Sequence, residues 1–108
     1  SKRFYETAFG RAAVFETDDS AVFRFGGTFI NLLSVESAPE LLEPAHAAPR
    51  DAGVRAVFTI NVDDVDATAA DLQAKGIELL NGPMDRPWGP RTASFSDPDG
   101  HVWEIATP

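Results

Sequence analysis

The sequence predicts an α+β fold made of two paired βαβββ modules, the first strand of module one apparently missing from the chain. Two observations predict it. Read in order, the chain gives a helix and three strands, then a strand, a helix and three more strands. Gly10 and Gly76 stop the two helices 66 residues apart, the spacing of a duplicated unit. The 108 residues suit one domain. Module one takes about 1–36, a linker about 37–53 and module two about 54–108.

Ser1 to Phe9 predicts the first helix, with Ser1 as N-cap and Gly10 as the C′ glycine. This helix starts at the first residue with no initiator Met, so a leading segment is expected before Ser1. Ala12–Thr17 is the first strand, closed by the polar turn Asp18-Asp19-Ser20. Ala21–Phe25 is the second, closed by Gly26-Gly27. Thr28–Val35 is the third. Its period of two puts Phe29, Asn31 and Leu33 on one face and Ile30 and Leu32 on the other.

Pro39, Pro44 and Pro49 exclude a strand from the linker, where one helical turn is expected at Glu40-Leu41-Leu42. Val54–Val62 reads as a strand. Asp63-Asp64 opens a helix to Lys75, their carboxylates suiting its positive end, and Gly76 stops it. Val65, Ala69 and Leu72 form the stripe that should face the sheet. Strand Ile77–Leu80 follows, then a loop over 81–90 and strand Thr92–Ser96. Asp97-Pro98-Asp99-Gly100 carries the residues of a type I turn. In the last strand, Val102–Ala106, Glu104 shares a face with Val102 and Ala106, opposite His101, Trp103 and Ile105.

Nine basic and 17 acidic residues give a net charge of −8. Nucleic acid and anionic membrane need a basic footprint and are excluded as partners. A cationic ligand is mildly favoured, although acidity also serves solubility. With no cysteine there is no disulfide, thiol nucleophile or Cys-based metal site, as suits a cytoplasmic protein. No apolar run reaches membrane-spanning length and no signal-peptide pattern opens the chain. G-x-S-x-G, the P-loop and G-x-G-x-x-G are absent.

Three stretches carry a resemblance: Arg3-Phe4-Tyr5-Glu6 with Phe9-Gly10, Asn61-Val62-Asp63-Asp64-Val65-Asp66, and Asp97-Pro98-Asp99-Gly100-His101-Val102-Trp103-Glu104-Ile105. Together they resemble the vicinal oxygen chelate superfamily, which includes glyoxalase I, bleomycin-resistance proteins and extradiol dioxygenases. The resemblance covers essentially the whole chain. It implies sheets that curl into a cupped cavity, usually in a homodimer, and an opening strand before Ser1. It also implies metal-ligand positions on the first and last strands of each module. Glu104 matches one, Asn31 another and Val57 a third, while the fourth would lie before Ser1. Val57 cannot ligate and Asn31 offers only a neutral carbonyl, so no family-type metal site is expected and Glu104 is its one strong candidate.

The expected function is therefore metal-independent binding of an aromatic or cationic small molecule, as in the bleomycin-resistance branch. The expected lining is Glu104, Asn31, Phe29, Leu33, Val57, Arg86 and Trp88, apolar with a few polar points. Trp88, in the stiff loop Arg86-Pro87-Trp88-Gly89-Pro90-Arg91, either stacks on a planar ligand or packs on a dimer partner or sheet edge. Most of Phe23, Phe25, Phe29 and Phe58 should be core, and Trp103 should pack against a helix. His101 is expected to reach solvent or a backbone group, and His46 to be solvated. No catalytic residue is assigned. The alternatives are a glyoxalase-like lyase or isomerase, or a dioxygenase, with an altered ligand set for Zn, Ni, Mn or Fe, and a partner-binding role with a vestigial cavity.

Overall fold

The computed structural model describes residues 1–107. The chain divides into two compact units, Ser1–Pro49 and Arg50–Pro108. In the first, helix α1 (Lys2–Phe9) ends at Gly10, in the left-handed conformation. Strands β1 (Phe15–Glu16), β2 (Ser20–Phe25) and β3 (Thr28–Leu33) form an antiparallel sheet in that order. Aromatic rings hold α1 to it. Tyr5 packs on Phe23 at 5.6 Å and Phe9 meets Phe25 edge-on at 5.0 Å between centroids. Tyr5 and Phe23 are fully buried. Strand β1 is shorter than the predicted 12–17. Alanines at 12 and 13 pack poorly on a pleated surface, and pairing with β2 covers only Phe15 and Glu16. The linker's helical turn forms as α2 (Pro39–Leu42), and Glu43 leaves it extended, as the residue before Pro44 must.

The second unit is a complete βαβββ module: β4 (Val57–Asn61), α3 (Val65–Ala74), β5 (Leu79–Asp85), β6 (Arg91–Ser96) and β7 (Val102–Ala106). Its sheet order is β4-β7-β6-β5, with β4 parallel to β7 and the other pairs antiparallel. Asp64 caps α3 by accepting the Ala67 N–H at 3.0 Å. At the other end Gly76, at φ 84°, lets Ile77 N–H reach Leu72 O and Gly76 N–H reach Gln73 O, both at 3.0 Å. That is a Schellman closure, and buried Ile77 sits with buried Leu72 as its apolar seal. Val65, Ala69 and Leu72 are buried as predicted, and α3 packs on β5, β6 and β7. The sheet's covered face holds Ala93, Phe95, Trp103 and Ile105, and Phe58 packs on Trp103 at 5.1 Å.

Two strands of the second unit, β4 and β5, also differ from expectation. β4 is shorter than 54–62 because, among the described residues, it is an edge strand that pairs with β7, which offers five residues to pair with. β5 runs on to Asp85 through Gly82-Pro83, which the sequence marks as loop. The register slips twice along β5, so it takes up Gly82 and Pro83 as irregularities in the ladder. Proline is tolerated because β5 is also an edge. Gly82 has φ 83°, and a Cβ there would lie 2.5 Å from the Thr92 carbonyl oxygen and 2.8 Å from Ala93 Cα. Only glycine fits that approach.

Candidate functional site in the second unit

Residues directly opposite in neighbouring strands share a face. The pairs Thr59–Glu104, Ser94–Glu104, Asn81–Ser94 and Met84–Thr92 therefore define the sheet face turned away from α3. Val57 lies two residues before Thr59, on the same face. Glu104, half-buried, accepts a 2.9 Å hydrogen bond from Thr59 Oγ1. Ser94, buried, stands across from it on the other side.

Beyond Ser94 the face carries a second polar group. Arg86 leaves the end of β5, where its N–H bonds Pro90 O and its carbonyl accepts Gly89 N–H. Its guanidinium turns back over the sheet. Nε donates to Thr92 Oγ1 at 2.7 Å, Nη1 to Met84 Sδ at 2.8 Å and Nη2 to Asn81 Oδ1. The same cation lies 5.9 Å from the ring centre of Trp88, which is 70 % exposed. The other arginine of this hairpin behaves differently. Arg91 reaches both Asp66 oxygens, at 2.8 and 2.9 Å, and Asp85 at 3.3 Å. Hydrogen bonding from Arg91 holds the Asp66 carboxyl below its usual value, and Asp66 and then Asp85 push the Arg91 value up.

At the β6–β7 turn Gly100 N–H bonds Asp97 O, as a type I turn requires. The buried Asp97 carboxylate takes the N–H groups of Asp99 and His101 on one oxygen. His101 Nδ1 meets the other at 2.8 Å. His101 thus pairs with a carboxylate four residues back, not with solvent alone or a backbone group.

A sequence model of the Glyoxalase/Bleomycin resistance protein/Dioxygenase superfamily matches residues 1–105. The chain belongs to that superfamily. It is similar to a Bacillus subtilis (strain 168) protein called YraH and described as uncharacterized, 39% identical over 87 residues, 79% of this chain and 68% of that one. It is also similar to a glyoxalase-related enzyme from Fulvimarina pelagi: 30% identity, TM-score 0.82, all of this chain and 78% of the other. A glyoxalase/bleomycin resistance protein/dioxygenase from Nocardioides matches at 25% identity and TM-score 0.83, over 97% of this chain and 72% of the other. The α+β architecture with two sheets is thus that of the superfamily.

The superfamily member's predicted lining residues divide between the units. Glu104, Val57, Arg86 and Trp88 fall in the second unit. Phe29, Asn31 and Leu33 fall in the first, on the β3 face opposite the ring contacts with α1. Phe29 is 60 % exposed there, so it is not core, and Phe58, although against Trp103, is 39 % exposed. Sequence reasoning missed Thr59, Ser94, Asn81, Met84 and Thr92. Thr59 was reachable, because it lies two residues from Val57 on one strand. Asn81 and Met84 were not, since an odd spacing puts them on opposite faces of a regular strand.

The donor set around Glu104 within the unit is that of a hydrogen-bonding site. Thr59 and Ser94 offer neutral hydroxyls, Val57 offers nothing, and His101 is engaged by Asp97. Zn, Ni, Mn or Fe needs imidazole or several carboxylates converging, and these residues do not fit such an ion. Among the described residues no three His, Asp or Glu side chains gather where they could hold a metal. Among the described residues no helix is long and apolar enough to cross a membrane.

Proposed function

We propose that this superfamily member is a metal-independent binding protein for a small aromatic or cationic molecule, of the bleomycin-resistance kind. One observation carries the reading. Where the resemblance sets a metal ligand, Glu104 is tied to Thr59 and flanked by Ser94, an arrangement suited to accepting hydrogen bonds from a ligand. Trp88, 70 % exposed beside Arg86, supports it by offering a flat surface for stacking.

The test is titration of the full chain with bleomycin and a panel of planar aromatic and cationic compounds, followed by Trp fluorescence and calorimetry. Glu104→Gln should weaken a hit roughly tenfold, on the scale of a lost charged hydrogen bond. Silence across the panel would sink the proposal. So would stoichiometric Zn, Ni, Mn or Fe in the purified protein that Glu104→Ala removes, which would establish the metalloenzyme alternative.

A further inference from the structure

The guanidinium of Arg86 is held in place without being neutralised. Its three bonds go to a hydroxyl, a thioether and an amide, and the indole of Trp88 lies beside it. Among the described residues it makes no ion pair. This happens in a chain with 17 acidic residues. The nearest carboxylate in sequence, Asp85, is turned to Arg91 instead. A half-buried arginine normally recruits a carboxylate, because a desolvated charge is costly without one. Arg91 has done so twice over. Arg86 has been given supports that fix its plane and leave its charge in place.

The unused donors show what it can take. A guanidinium has five N–H groups, one on Nε and two on each terminal nitrogen. Thr92, Met84 and Asn81 engage one from each nitrogen, which leaves one on Nη1 and one on Nη2. Two such donors on a planar cation suit the two oxygens of an oxyanion. The neighbouring indole suits the planar body that carries it.

We propose that Arg86 is the anion-recognising residue of the site, and that the ligand is a planar molecule bearing a carboxylate or phosphate. This rests on the binding reading above and selects its aromatic branch over its cationic one. The net charge of −8 argues for a cation at long range, but the bare guanidinium decides the chemistry at contact distance.

The experiment uses the full chain and four probes: benzoate, phenyl phosphate, the neutral isostere benzamide and the cation benzamidine. Binding is followed by Trp fluorescence and by amide and guanidinium NMR shifts, in wild type, R86Q and R91Q. R91Q removes the same charge from the same hairpin and so controls for long-range electrostatics. Far-ultraviolet circular dichroism and a melting curve establish that each variant is folded. Benzoate or phenyl phosphate should shift the Arg86 Nε–H and Trp88 indole signals. R86Q should weaken that probe at least tenfold while R91Q leaves it within about twofold, and the stronger of the two probes tells carboxylate from phosphate. R86K, which keeps the charge and loses the fork, should recover only part of the loss. Equal losses in R86Q and R91Q would overturn the proposal. So would anions that bind R86Q as well as wild type, or no anion response at millimolar probe. If benzamidine binds and the anions do not, this inference fails and the binding reading stands. If the anions and the wider panel are all silent, both fail.

Discussion

The two units cover one face of a sheet in the same way and leave the other face to different ends. In each, aromatic or large aliphatic side chains fill the covered side: Tyr5, Phe9, Phe23 and Phe25 in the first, Phe95, Trp103 and Ile105 in the second. The uncovered face of the first unit is largely hydrocarbon, with Phe15, Val22, Phe29 and Leu33 around Asn31 and Arg24. The face of the second unit turned away from α3 is hydrogen-bonded, running from Thr59 through Glu104 and buried Ser94 and Thr92 to Asn81 and Arg86. Apolar packing and the proposed recognition surface thus sit on opposite sides of a sheet one residue thick, and the strand alternation lets each side change without the other.

The sharpest way to break that comparison is to mutate phenylalanines on opposite faces. Phe95→Ala, at a fully buried position, should cost about 3–5 kcal/mol in denaturant unfolding. Phe29→Ala, 60 % exposed, should stay within about 0.5 kcal/mol. Similar losses would mean that the uncovered face of the first unit is core after all.

Gly82→Ala tests the irregularity that builds the proposed recognition face. The added methyl meets the Thr92 carbonyl at 2.5 Å in a conformation side chains avoid, so a loss of roughly 1–3 kcal/mol is expected. The NMR signal of the Arg86 Nε–H should move in the same variant, because Asn81 and Met84 no longer reach it together. An unmoved signal would separate the bulge from the site.

The smallest effect is the acid response of the Arg91–Asp66 pair. Arg91 lowers the Asp66 value, so the pair stabilises the fold above the unfolded aspartate value of about 3.9 and loses that contribution as pH falls through the lower folded one. Asp66 is exposed and Arg91 half-buried, so the contribution is small and screened by salt. The melting-point difference between wild type and Asp66→Asn should therefore shrink toward zero as pH drops below about 4. A difference that persists in acid would assign the variant's effect to something other than this charge pair.

What could be read from the sequence follows from local rules. Gly10 and Gly76 sit where the two helices stop, because glycine alone enters the left-handed region at no steric cost. Asp64 caps its helix, and Asp97 to Gly100 closes the last hairpin. Alternation along β7 was enough to separate Glu104 from buried Trp103 and Ile105. The His101–Asp97 pair went unread because a turn's backbone pattern does not say where its side chains point.

The sequence by itself determined the order of the elements and which residues of each strand share a face, since those follow from periods of 3.6 and 2 and from the turn residues. Tertiary structure decided which side chains meet. Thr59 reaches Glu104 only because the first and last strands of the unit pair in parallel across 45 residues. Asn81 and Met84 grip one guanidinium only because β5 slips register at Gly82-Pro83. Register is a property of two strands, set by how their faces pack and where a ladder can absorb an extra residue, and no single strand's sequence contains it.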